Sequence, residues 1–531
     1  MEGGRFSLSA PCSCVHTSNR THVQTATRIM GETAIAWGFF VVYLGVIGVA
    51  ATVGIQKVTG FASFSVGSRE VSPVLVGLSL AANLTSAATF IINPGLIYLY
   101  GVSGMLGYVV AMPLGVFLGL IVFSKAFRRV GDEVTALTVP QWIGDRFGDY
   151  RLTVFFAGAS LLQIAFLVLI TVGLTRVLSN VLAVPMWASM AIALGVPLLY
   201  IAIGGASAHT LTNSAQAVLM LVVALIMLGS GATYFADGVG GFVDRLASIK
   251  PVLAQPTNPE SLLFRDWFEV VVCNLCIGFA IVNQPHVMSK ALYLKSKKDV
   301  NRYLATGIAV LVVFFVVMLV GLYARILMPE AGMEPDAVVP TYIVEVFGPW
   351  LRSVILIGLV AAGFSTMEGL LVALSTIFTN DIYQPLAEHL DVLSAEEIET
   401  RAVRYSRVFL ALLVPVVALI SWGQIVNPNL SVAILGQNGV YALFSATFVP
   451  ILFGIFSERV TKEAVFAAAS TALVVHFGMY YGEITMYHNN PAVPATFALG
   501  SSVLVALGVM TGQGRWTADL RAEAGETAPA E

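Results

Sequence analysis

Apolar residues run through this chain in long blocks, without the strict apolar/polar alternation that marks half-buried strands. Thirteen blocks stand out, at 34–55, 72–99, 104–124, 151–180, 184–204, 208–232, 266–290, 303–327, 347–378, 402–424, 430–457, 463–482 and 494–511. A helix crossing a bilayer needs about 20 predominantly apolar residues, which these blocks supply. A membrane-barrel strand would be about half as long and would alternate. The pattern therefore predicts an all-α polytopic membrane protein with about 13 transmembrane helices. Composition agrees: of 531 residues, 57% are hydrophobic and 11% charged, against about 25% charged in a soluble domain. With a net charge of −3 and no large basic tract, nothing points to nucleic acid as a partner.

Charge then orients the spans. One set of connections carries most of the basic residues, from Lys57 and Arg69 through Lys125–Arg129, Arg146 and Arg151, the run Lys290–Arg302, Arg401–Arg407, Arg459 and Lys462, to Arg515 and Arg521. The alternate set holds only Arg176, Arg245, Lys250, Arg265, Arg325 and Arg352. The positive-inside rule places the first set in the cytoplasm, with the N-terminus outside and the C-terminus inside an inner or plasma membrane. Residues 1–30 are polar and lack the apolar core of a signal peptide. They read as a disordered tail, or as residues upstream of a true start at Met30-Gly31-Glu32. Residues 512–531 read as a short cytoplasmic tail. Cys273 and Cys276 form a CxxC inside an apolar helix, where small apolar filler is the simpler reading. With Cys12 and Cys14 they suggest no disulfide framework.

Two spans carry residues that weaken a helix in mid-membrane. The second contains Ala82-Asn83-Leu84-Thr85-Ser86-Ala87-Ala88-Thr89 and ends in Asn93-Pro94-Gly95. The seventh contains Gly278 and then Asn283-Gln284-Pro285-His286. Proline removes a donor and glycine a side chain, so both spans are expected to break. A simple kink would explain either one alone. The pair says more, because each opens a group of five spans (72–232 and 266–457), and five is an odd number. The two groups therefore lie in opposite orientations, and matched breaks in an inverted repeat point to a secondary transporter with sites near the midplane.

A third polar cluster, Gly363-Phe364-Ser365-Thr366-Met367-Glu368-Gly369, lies in the ninth span. Its hydroxyls could bond back to their own helix. An acid at that depth usually faces a cavity or a partner.

These residues resemble the sodium/solute symporter family, whose members include sodium–glucose, sodium–proline and sodium–pantothenate symporters. Ala87-Ala88-Thr89-Phe90 through Pro94-Gly95 and Tyr100-Gly101 is similar to the family's first broken helix, and Gln284-Pro285-His286-Val287 to its second. Leu137-Thr138-Val139-Pro140 with Arg146-Phe147-Gly148 resembles a cytoplasmic loop of the family. Gly204-Gly205 followed by Thr212-Asn213-Ser214-Ala215-Gln216 is similar to its GG…TDxxQ element. Ala361-Ala362-Gly363-Phe364-Ser365-Thr366-Met367-Glu368 and Asn380-Asp381-Ile382-Tyr383 resemble its AAxxSTxD/E…DxY signature. The resemblance runs from Met30 to about residue 511. It implies a leucine-transporter-type 5+5 inverted-repeat core with flanking helices, sodium as the coupling ion, and transport rather than enzymatic activity. The sodium site it implies comprises the carbonyls of Ala82, Thr85 and Ala362 and the hydroxyls of Ser365 and Thr366. Sodium prefers oxygen ligands, and an unwound helix exposes carbonyls. One position departs from the family: Asn213 stands where it has aspartate, keeping an oxygen but losing a charge that Glu368 could supply. Asn213 and Glu368 are accordingly the candidate coupling residues.

Substrate is expected to line the breaks. Candidates are Asn83, Ser86, Ala87 and Thr89 on the first, Asn274, Gly278, Asn283 and Gln284 on the second, and Gln163 and Gln437-Asn438 in spans four and eleven. Each taken singly is as readily an interhelical hydrogen bond. Half-helix N-termini favour anionic groups and the candidates include no acid. A monocarboxylate or amino acid is therefore favoured over a sugar or urea. A proton-coupled symporter using Glu368 is the alternative mechanism. His209 and His286, near helix ends on the cytoplasmic side, read as solvated or capping residues.

Overall fold

The computed structural model describes residues 15–67, 71–133, 136–294, 296, 298–330, 332–390, 393–427 and 432–513, and no strand occurs among them. Ten helices are individually long and apolar enough to cross a bilayer. Two pairs qualify when joined across a break: Pro73–Leu84 with Ala88–Tyr100, and Phe268–Ile281 with Pro285–Tyr293, each bent by 58°. One of the ten, Met186–Gly229, has 44 residues, about 66 Å if straight and twice the hydrocarbon thickness. It is not straight. Gly205 leaves the helical region at φ 49°, ψ −138°. Tyr200 on one side of it, and Thr212 and Gln216 on the other, all hydrogen-bond the carboxylate of Glu368. Along a straight helix Tyr200 and Gln216 would stand about 24 Å apart. The chain therefore folds back at Gly205, so that this helix forms two antiparallel apolar arms. Glycine is required at this corner, because a Cβ there would lie 2.3 Å from the Phe64 carbonyl oxygen.

Burial separates core from periphery. In the span Pro349–His389, 94% of the most apolar window is buried, against 28% for Gly31–Ile55 and 22% for Glu396–Val426. An all-round apolar helix enclosed by protein is the hub, and one with an exposed apolar face meets lipid. The Ser365–Glu368 cluster thus sits on the central helix, Pro349–Ile377.

The first break falls within the run of small and polar residues, its bend at Thr85-Ser86-Ala87, upstream of Asn93-Pro94-Gly95. Thr85 is extended, at φ −109°, ψ 98°, and the Ser86 hydroxyl accepts from the Ala88 amide at 3.1 Å. Pro94 sits just past a π-turn, Ala88–Ile92, within the continuous helical segment Ala88–Tyr100. Wide turns of this kind absorb local irregularity, here the donor that proline lacks. Gly95 serves packing instead: a Cβ there would lie 1.9 Å from the Pro335 carbonyl oxygen of helix Pro335–Val346. The second break falls where expected, with Gln284 extended and Pro285 opening the next turn.

At one end of the central span two sequence motifs meet. The Thr138 hydroxyl lies 2.9 and 2.8 Å from the two carboxylate oxygens of Asp381, tying helix Val139–Phe147 to the end of the central span. Helix Val15–Ile55 begins inside the stretch expected to be a tail. Once an apolar segment nucleates a helix, each added residue gains a bond at little further cost. The expectations for residues 1–14, with Cys12 and Cys14, and for the tail past Gln513 fall outside the described residues. Cys273 is buried, Cys276 half-buried, and both are free thiols.

Candidate functional site

The last carbonyls of a helix have no intrahelical partner. Because Pro73–Leu84 stops at the bend, its final carbonyls turn towards the central helix. The Ser365 hydroxyl lies 3.0 Å from the Ala82 carbonyl oxygen and 2.7 Å from that of Ala362. The Thr366 hydroxyl lies 3.3 Å from the carbonyl oxygen of Asn83. Ser365 and Thr366 are fully buried. A hydroxyl carries one hydrogen, so Ser365 can donate to only one of its two carbonyls at a time. Oxygens thus outnumber protons here, an arrangement suited to a small hard cation. The structure brings together Ala82, Ala362, Ser365 and Thr366, and adds the Asn83 carbonyl. Thr85 is buried at the bend, its hydroxyl donating to the Ala81 carbonyl at 2.6 Å.

One turn along, Glu368 is fully buried and hydrogen-bonded on both oxygens. Oε1 accepts from the Tyr200 hydroxyl and from Gln216 Nε2 at 2.6 Å. Oε2 accepts from the Thr212 hydroxyl at 2.6 Å and faces His209 Nδ1 at 3.3 Å. The other nitrogen of His209 lies 2.8 Å from Lys290 Nζ, which also donates to the Ser79 hydroxyl at 2.7 Å. Since an ammonium only donates, Nε2 accepts and Nδ1 carries the imidazole proton towards Glu368. Asn213 Nδ2 donates to the Ser79 carbonyl at 3.0 Å and lies 3.2 Å from its hydroxyl.

Lys290 is fully buried, although its position suggests a basic cytoplasmic loop. His209 and His286 are corrected in the same way, being 1% and 3% exposed. Chain breaks explain all three, since a span that ends early leaves its flanking polar residues inside the bundle. His286 Nδ1 meets Gln163 Oε1 at 3.0 Å, and its carbonyl accepts from Asn83 Nδ2 at 2.7 Å. The two breaks are therefore stitched together through Asn83, His286 and Gln163.

The other substrate candidates separate into two groups. Asn283 is fully buried with both polar side-chain atoms unpaired, and Gln284 Oε1 is unpaired too. Buried polar atoms are normally bonded, so these stand out. By contrast Asn274 donates to the Glu269 carbonyl in its own span at 2.8 Å, and Ser86 caps the bend. Gly278 packs against span three, where a Cβ would lie 2.0 Å from the Met112 carbonyl oxygen. Gln437 bonds Tyr108, and Asn438 bonds His476 and Tyr481. Ala87 and Thr89 lie buried just beyond the first bend. A narrow cavity of about 20 Å³ adjoins the second break, lined by Ser65, Thr138, His209, His286, Ser289 and Thr376 among others. Thr212 and Gln216 carried a legible signal: four residues apart, they put two polar groups on one helix face.

A bundle of apolar helices, two broken spans and cation-suited oxygens shared between a break and the buried central helix define an ion-coupled secondary transporter. The profile of the Sodium:solute symporter family matches residues 64–471. The chain belongs to that family, and sodium-coupled symport of a small solute follows from the membership. It is 28% identical over 443 residues to the sodium/pantothenate symporter of Escherichia coli (strain K12), covering 81% of this chain and 87% of that protein. It is 26% identical over 460 residues to the sodium/proline symporter of Staphylococcus aureus (strain Newman), covering 82% and 84%. A Na+-coupled sialic acid symporter solved in a substrate-bound, outward-open state superposes with a TM-score of 0.71 at 17% identity, over 90% of this chain and 97% of that one. The fold is accordingly of the leucine-transporter type.

Proposed function

We propose that the chain imports a small carboxylate-bearing solute, a monocarboxylate or an amino acid, with sodium bound by the oxygens of Ala82, Thr85, Ala362, Ser365 and Thr366. Residues 72–232 and 266–457 form the two inverted repeats, and the N-terminus lies outside the cell membrane with the C-terminus in the cytoplasm. The observation that carries the reading is the Ser365 hydroxyl within 3.0 Å of carbonyls on two different elements. An ion bound there would hold the broken helix against the central one, so its arrival and departure would bias their relative position.

The solute would lie between the breaks, near Asn83, Asn283, Gln284 and Gln163. The unpaired Asn283 amide offers a donor to a carboxylate oxygen. The pantothenate and proline for which two relatives are named both carry a carboxylate. Uptake of labelled pantothenate and of labelled proline into proteoliposomes, with an inward sodium gradient, tests the proposal. Sodium-dependent accumulation of either one, competed by monocarboxylates or amino acids and indifferent to sugars and urea, is the expected result. Uptake that persists without sodium and collapses with a protonophore would transfer the coupling to protons and Glu368.

A further inference from the structure

Two positive charges have a claim on one buried carboxylate. Glu368 is reached by Lys290 through His209, in a continuous carboxylate–imidazole–ammonium chain whose three members are at most 1% exposed. The proposed sodium oxygens lie one helical turn away on both sides of this chain. Ser365 precedes Glu368 by three residues on the central helix, and Ser79, which anchors the ammonium, precedes Ala82 by three on the first broken helix. Residues three apart on a helix are neighbours, about 5–6 Å between Cβ atoms. A bound sodium ion and the Lys290 ammonium, held on adjacent turns of the same helices and away from water, repel each other. The oxygens proposed for sodium carry no formal charge, so Glu368 is the full negative charge near both cations.

We infer that Lys290 is a tethered competitor of sodium: it neutralises Glu368 when the ion site is empty and is displaced when sodium binds. Displacement would free the segment that carries it, Pro285–Tyr293, which is the inner half of the second broken span. Room for the departing ammonium lies alongside. The cavity bordered by His209, Ser289 and Tyr293 also exposes the hydroxyls of Ser65 and Thr376, both buried and without partners. The amide at Asn213 fits this role. An aspartate there would lie against Ser79 and add a negative charge close to the ammonium. The neutral amide leaves Lys290 held by a hydroxyl, an imidazole and the face of the Tyr293 ring, partners it can surrender.

This inference rests on the sodium assignment above, and one experiment separates the two. Radiolabelled sodium binding is measured on the purified wild type, Lys290→Gln, Ser79→Ala and the double variant S365A/T366A. Hydrogen exchange of residues 285–294 is followed in parallel, with and without sodium. Lys290→Gln is expected to bind sodium about tenfold more tightly or better, with fast exchange in 285–294 whether or not sodium is present. In the wild type, sodium is expected to speed exchange in that segment. Ser79→Ala keeps every charge and should shift affinity the same way by about two- to threefold, within the range of one hydrogen bond. It decides the matter if Lys290→Gln does not fold. Wild-type affinity in Lys290→Gln (or in Ser79→Ala alone), or exchange in the wild type indifferent to sodium, would overturn the competition while leaving the sodium site standing. Unchanged binding in S365A/T366A would remove the site itself and the competition with it.

Discussion

The two broken spans share a bend of 58°, yet their polar groups meet different fates. At the first break the protein supplies partners for most of the freed groups, the side-chain oxygens of Asn83 and Asn93 excepted. Ser86 caps the new turn, and the free carbonyls of Ala82 and Asn83 meet the hydroxyls of Ser365 and Thr366. At the second break Asn283 has no partner for either side-chain polar atom, Gln284 lacks one for its oxygen, and a lysine is buried nearby. Unsatisfied buried groups cost free energy that a ligand can recover. The first break is built to present oxygens to something small and positive, and the second to receive groups that arrive from outside. Under the function proposed above, these correspond to ion and solute.

Three variants would break or sharpen that contrast. The largest effect is expected from S365A/T366A at the first break. Losing two hydroxyls from a cation's shell, at about 1.5–3 kcal/mol each, should raise the half-saturating sodium for uptake by about 100-fold or more, with expression intact. Unchanged sodium dependence would return both hydroxyls to helix packing. Asn283→Ala at the second break should raise the KM for solute by about tenfold while leaving half-saturating sodium alone, since a single neutral donor is removed. A shift in sodium dependence instead would erase the division of labour between the breaks. The smallest effect is expected from Pro94→Ala. With the hinge at Thr85–Ala87, returning a donor to position 94 should alter uptake by less than about threefold. A severe loss would move the hinge back to Asn93-Pro94-Gly95.

Much of this architecture is legible in the chain. Each span announces itself by length, and the corner at Gly205 falls between the two blocks that the hydrophobic pattern separates. Ser365 and Thr366 are costly residues for a lipid-crossing helix, so their importance is visible before their partners are. The broken stretch of the first span is legible as the run of small and polar residues from Ala82 to Thr85. Its loudest helix breaker, Pro94, lies elsewhere: the missing donor is absorbed beside a π-turn, whereas the Thr85–Ala87 bend depends on a serine cap that looks ordinary in a row of small residues. The charged chain was harder to place. His209, His286 and Lys290 lie near predicted span ends, where polar residues normally meet water. Only the fold reveals that these ends turn inward. Asn274 and Gly278 show the converse error: polar or small residues in a broken span that serve their own helix or a tight crossing.

The central claim is that the carbonyls freed by the first break and the hydroxyls of the central helix hold sodium. Equilibrium binding of radiolabelled sodium to the purified protein without solute tests it most directly, with wild type and S365A/T366A compared at equal concentration. Saturable binding by the wild type and a loss of at least about 100-fold in affinity by the variant are predicted. Equal affinity in a variant that elutes and unfolds like the wild type would contradict the claim and place the ion elsewhere in the bundle.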